Sequence, residues 1–146
     1  MKSTIKVGDF SVCKEAAEQF YITAQRCKGE NMADYLFGGF YSYAVNIAFS
    51  CELYLKAIMI HRSPNNEFFT GHELSALFSY LDSVDSQVIE GNFDSRFSSK
   101  DLKTFLIENN KVFEEWRYAL EGPVKIDISG FEAFSEILHD YVQPLV

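Results

Sequence analysis

The chain has 146 residues, 47% hydrophobic and 16% aromatic, with 14 Phe and 8 Tyr against only three Pro and eight Gly. That composition excludes a disordered polymer and suits one domain over residues 1–146, able to bury roughly 68–70% of its unfolded surface. The formal charge of −8 argues against non-specific binding of duplex DNA, whose affinity comes from neutralising phosphates. It leaves room only for a local cationic pocket.

Residues 1–8 read as a loose lead-in. Asp9 or Ser11 can cap a first helix that runs to about Cys27, with Val12, Ala16, Phe20 and Ala24 at helical spacing. Lys28-Gly29 ends it. Cys13, Cys27 and Cys51 are odd in number, form no CxxC pair, and have no zinc-ligand spacing with His61, His72 or His139. Reduced thiols in the cytoplasm are expected, with no metal and no cofactor. The opening MKSTIKVGDF lacks the apolar run of a signal peptide.

Asn31-Met-Ala-Asp34 has the form of a capping box and starts a second helix that continues to about Arg62. Gly38-Gly39 inside it marks either a kink or a close approach of another helix. From Tyr41 to Arg62 the helix is apolar nearly all round. Phe40, Ala44, Ile47, Cys51, Tyr54, Leu55 and Ile58 form a broad face, and Phe49, Leu53, Ala57 and Ile60 interrupt the opposite side. Such a helix belongs at the centre of a bundle, and its polar residues Ser50, Glu52 and Lys56 then need partners. The same polar residues argue against a membrane span.

Ser63-Pro-Asn-Asn66 is a turn. Thr70-Gly-His-Glu73 is a second capping box, starting a third helix with Leu74, Leu77, Phe78 and Leu81 on one face. Residues 82–99 mix Ser, Asp and Gly and read as a loop with at most one helical turn. Ser98 or Ser99 caps a fourth helix to about Leu120, stopped by Gly122-Pro123. Val124 to Ile128 reads as extended loop. Ser129-Gly-Phe-Glu132 starts a last helix to about Val142, with Phe131, Phe134, Ile137, Leu138 and Tyr141 inward. The expected fold is all-α: a five-helix, mostly up-and-down bundle with a long central second helix.

Three polar features can carry chemistry, and each has a structural reading beside the functional one. Glu52 and Lys56 are four apart: an ordinary exposed helix pair, or a buried pair that fixes register or builds a site. His72 near a helix start is a tolerated structural histidine, or a neutral imidazole acting as general base. Arg117 complements a helix C-terminus or a nearby carboxylate, or its guanidinium is held by packing and aimed at phosphate.

Taken in order, AFSCELYLKAIMI, GHELSALFSYL and FEEWRYALEG resemble the HEPN superfamily, the higher-eukaryote and prokaryote nucleotide-binding domains. The three pieces lie within residues 40–122. The resemblance implies a helical bundle, a homodimer, and RNA or a nucleotide as ligand. Many members are metal-independent ribonucleases of toxin–antitoxin and phage-defence systems; others are non-catalytic modules. The ribonucleases carry an Arg and a His four to six residues apart. This chain lacks that motif: after Arg117 the positions are Gly122, Pro123 and Val124, and Arg26, Arg62 and Arg96 fare no better. The chemistry would have to be rebuilt across helices. The candidate catalytic residues are His72 and Arg117, with Ser50, Glu52, Lys56 and Tyr118 as candidate ligand contacts. The alternative is a non-catalytic interaction module, antitoxin-like or scaffolding, whose partner is a protein encoded nearby.

Overall fold

The computed structural model describes residues 4–29, 39–112, 115 and 126–146. Among these are six helices and two short strands: β1 (Ile5–Val7), α1 (Phe10–Cys27), α2 (Phe40–Arg62), β2 (Glu67–Phe69), α3 (Leu74–Ser79), α4 (Ser83–Arg96), α5 (Leu102–Glu108) and α6 (Ile128–Val142). The protein is predominantly helical, and the described residues alone hold six helices against the five expected. The proposed box at Asn31 to Asp34 lies outside the described residues, as does the expected helix end near Leu120; the expected fourth helix is not continuous, because α5 ends at Glu108 and residues 109–111 form a turn.

The long helices alternate in direction. The Cys13 thiol reaches the Leu53 carbonyl at 3.3 Å and the Ser50 hydroxyl donates to the Ala17 carbonyl at 3.0 Å, so α1 and α2 form an antiparallel hairpin. Gly39 sits at its tight end, where an added Cβ would lie 1.6 Å from the Cys27 carbonyl oxygen. This is close approach, one of the two readings of Gly38-Gly39. α6 runs against α1: Lys14 donates to the Gln143 carbonyl at 2.9 Å, and Lys28 pairs with Glu132 at 3.2 Å. α4 runs against α6, with Phe93 and Phe134 6.2 Å apart and Asp85 meeting Tyr141.

α2 is covered on several sides, with residues from Tyr43 to Ile60 buried around its circumference. By length and composition it could cross a bilayer, yet 78% of its most apolar stretch is buried within the protein. On α1 the inward line is Ala17 and Ala24, flanked by Cys13 and Cys27. Val12, expected on the core face, is 65% exposed, because the stripe is set one residue further along. A second cluster of rings, Phe93, Phe105, Phe131 and Phe134, joins α4, α5 and α6 at centroid distances of 5.0–6.2 Å.

Several expected boundaries are corrected. Residues 83–96 form a 14-residue helix rather than a loop. Its inward positions are Asp85, Ile89 and Phe93, spaced by four, and a carboxylate at the first hides the apolar period. Residues 5–7 are not loose but pair antiparallel with 67–69 in the register Ile5↔Phe69. Asp101 caps α5 through the Thr104 N–H, in place of Ser98 or Ser99. Asp127 caps α6 through the Gly130 N–H, in place of Ser129. Asp9 caps α1 through the Val12 N–H, as one of the two candidates.

Thr70 does not cap α3. Its hydroxyl accepts from the Thr4 N–H at 3.0 Å and its N–H donates to the Thr4 carbonyl, prolonging the β1–β2 ladder. The first turn of α3 is satisfied from elsewhere in the chain. The Asn110 side-chain oxygen accepts from the Ser75 N–H at 2.8 Å and from the Ser75 hydroxyl at 2.9 Å.

Candidate functional site

α2 presents Glu52 and Lys56 one turn apart on the side that faces the β2–α3 connection. Glu52 is 1% exposed, so the pair is a buried one. Both carboxylate oxygens are engaged. Oε2 accepts from Lys56 Nζ at 2.9 Å, and Oε1 lies 2.8 Å from Nδ1 of His72. The Lys56 side chain is 11% exposed and its ammonium stands 6.0 Å from the centre of the Phe68 ring. A buried carboxylate with two charge-assisted partners is the arrangement that offsets its desolvation.

His72 reaches Glu52 because of the loop that carries it. Gly71 has φ 114, a conformation L side chains rarely adopt, and the turn there points the next side chain back at α2. His72 stands two residues before α3 instead of in its first turn. Its side chain is 37% exposed, far more open than Glu52. A carboxylate at Nδ1 selects the tautomer with the proton on that nitrogen, which puts the ring's lone pair on Nε2. Buried acid, oriented imidazole and adjacent ammonium make a unit suited to moving a proton beside an anion.

The Cys13 thiol lies in the field of the same pair. Burial pushes it up to about 11, with Lys56 pulling it down and Glu52 pushing it up. It stays protonated at neutral pH and is no nucleophile there. Among the described residues no three His, Cys, Asp or Glu side chains converge as a metal site.

Of the candidates from the sequence, Glu52, Lys56 and His72 are brought together. Ser50 is not: fully buried, its hydroxyl is committed to the α1 backbone as a tie between helices. Arg117 and Tyr118 lie outside the described residues.

A second polar centre carries no signal in the sequence. Asp85, 1% exposed, takes two hydrogen bonds from Arg62, Nε to Oδ2 at 3.0 Å and a terminal nitrogen to Oδ1 at 2.9 Å. The Tyr141 hydroxyl donates to the same Oδ1. Burial pushes the Asp85 carboxyl up, but the hydrogen bonds from Arg62 and Tyr141 outweigh it and hold the group below its ordinary value. Three helices, α2, α4 and α6, meet at this carboxylate. Asp85 was unreadable because its segment has the composition of a loop. Arg62 in the sequence only marks the end of the second helix.

No family model, curated protein or solved structure matches the chain.

Proposed function

We propose that the protein is a HEPN-like RNA- or nucleotide-binding protein whose polar site is built on Glu52, Lys56 and His72. The observation that supports this most is the Glu52 carboxylate, buried and shared between an ammonium and an imidazole. A register device needs only the first of these partners. The second fixes the orientation of an imidazole that is far more exposed than the carboxylate, 37% against 1%. In this reading Lys56 supplies positive charge for a phosphate, His72 is the candidate base, and Glu52 positions both. Arg117 and Tyr118 are the candidate contacts contributed from the segment that follows α5. Ribonuclease action, in a toxin–antitoxin or phage-defence setting and as a homodimer, is the catalytic form of the proposal.

The test is a set of single-stranded RNA oligonucleotides titrated against the wild type and against His72→Ala, His72→Gln and Arg117→Ala. Binding and cleavage are followed in parallel with unfolding curves. The expected result is loss of cleavage in all three, with His72→Gln holding the fold and the RNA. Cleavage unchanged in His72→Ala and Arg117→Ala would end the catalytic reading. A fourth variant, Lys56→Gln, is titrated for binding alone, and RNA binding unaffected by it would end the site itself.

The missing Arg–His spacing favours a second reading, a non-catalytic interaction module with a partner encoded nearby. It predicts a stable complex with that neighbour's product and no cleavage by the chain alone. Co-purification from the native host reads this directly.

A further inference from the structure

A second concavity lies apart from Glu52 and His72, between β2, the end of α2 and the turn from α3 into α4. It has a volume of about 200 Å³. Phe69 and Tyr80 line it as a stacked pair, ring centroids 4.0 Å apart. The ionisable groups on its wall are Arg62, Glu67, Asp82 and Asp85. Arg62 and Asp85 neutralise each other through their two-point pair. The balance is therefore set by Glu67 and Asp82. Glu67 is exposed. Asp82 stands at the N-cap position of α4, yet its side chain makes no capping hydrogen bond.

These features select the charge of an occupant. An anion would meet a wall with two excess carboxylates. A neutral apolar group would strip water from those carboxylates without replacing it. A cation on an apolar stem satisfies both parts of the wall, lying over the rings while its charge faces the acids. A guanidinium fits best, since it stacks on aromatic faces and pairs with carboxylates in a plane.

The backbone beside the cleft selects the carrier. Thr70 N–H donates to Thr4 and Gly8 N–H donates to Asn66, each at 2.8 Å. The alternation of an antiparallel ladder then turns the N–H and C=O of Phe69 away from β1. Among the described residues β2 is one of two strands in its sheet, and such an edge accepts an extended segment. We propose that this cleft docks an arginine side chain carried on an extended, basic segment of a partner protein. The Glu67 N–H is already given to the Ser63 hydroxyl at 3.0 Å, so the segment pairs with β2 at Phe69, and the guanidinium lies against Phe69 and Tyr80 and faces Glu67 and Asp82. The overall charge of −8 favours such a partner. The inference does not depend on the RNA reading, which uses other residues.

The test is an amide chemical-shift titration of the full chain with four probes. They are a short valine-flanked peptide with a central arginine, the same peptide with glutamine in its place, arginine amide, and spermidine. The arginine peptide should move the signals of Phe69, Tyr80 and Asp82. It should bind at least about tenfold more tightly than the glutamine peptide, as two partly screened ion pairs allow. Glu67→Gln combined with Asp82→Asn should remove that advantage while leaving the urea midpoint unchanged, because Glu67 is exposed and the Asp82 side chain makes no capping hydrogen bond to lose. Equal affinity for the two peptides would overturn the proposal, as would shifts confined to other surfaces or none at millimolar peptide. Arginine amide or spermidine binding as tightly as the peptide would make this a small-cation site and overturn the docking reading.

Discussion

Glu52 is the residue on which the site depends, and its burial fixes how it responds to substitution. It accepts from Lys56 and meets His72 while 1% exposed. Removing one member of a buried pair leaves the other charge stranded, which costs about 3–5 kcal/mol when neither can reach water. Lys56 keeps slight access to solvent, so Glu52→Ala should cost about 3 kcal/mol, read as a lowered urea midpoint with the slope unchanged. Replacing both partners with apolar residues, Glu52→Leu with Lys56→Met, should cost less than the single change, since no charge is left behind. A single-variant cost below about 1 kcal/mol would mean that water already replaces the pair. His72→Gln should be nearly neutral for stability, because the imidazole is the most open of the three groups. Stability and the proposed activity would thus separate on different atoms of one network.

At the scale of the element, the tightest constraint is the α1–α2 hairpin. Gly39 stands where a methyl group would overlap the Cys27 carbonyl oxygen at 1.6 Å. Backbone cannot yield there as a side chain could, so Gly39→Ala should cost at least about 2 kcal/mol. At Gly91, inside α4, an added Cβ meets nothing within 4 Å. Alanine there should gain about 0.5–1 kcal/mol of helix stability. Thermal unfolding of the two variants side by side measures the contrast, and equal effects would refute the close approach. These two positions also show where the sequence is legible. α2 could be read because its apolar residues run all round it, and Gly38-Gly39 already implied a kink or a neighbour. α4 could not, because one of its three inward positions is Asp85 and its acids, serines and glycine match a loop. The helix starts went astray for a related reason. Thr70-Gly-His-Glu73 has a capping spacing, but Thr4, 66 residues away, holds Thr70 in the sheet while Asn110 serves α3. Local patterns give the available donors and acceptors, and tertiary packing decides which of them meet. The Glu52–Lys56 pair was visible from spacing alone; the link to His72 needed the loop geometry at Gly71.

At the scale of the whole molecule, α1, α2, α4 and α6 alternate in direction, and the ends of three of them converge on Asp85. Arg62 closes α2, Asp85 opens α4, and Tyr141 lies in the last turn of α6. Their tie is ionic in a bundle whose core is mostly apolar, so it gives the fold a pH dependence. The Asp85 carboxyl titrates below its ordinary 3.8 in the folded state, since Arg62 and Tyr141 favour its ionised form more than burial opposes it. The unfolded chain therefore takes up the proton first as pH falls. The stabilisation is fully present above the unfolded value of about 4 and is lost as pH falls through the lower folded value. Asp85→Asn keeps the shape and removes the charge, and should cost about 1–3 kcal/mol at neutral pH, limited because Arg62 can partly reach water. The gap between wild type and variant should stay constant from neutral pH down to about 5 and close progressively below about 4. Urea unfolding at a series of pH values reads it. A gap that persists undiminished in strong acid would show that Asp85 is held by hydrogen bonds alone, and that the junction of α2, α4 and α6 owes nothing to its charge.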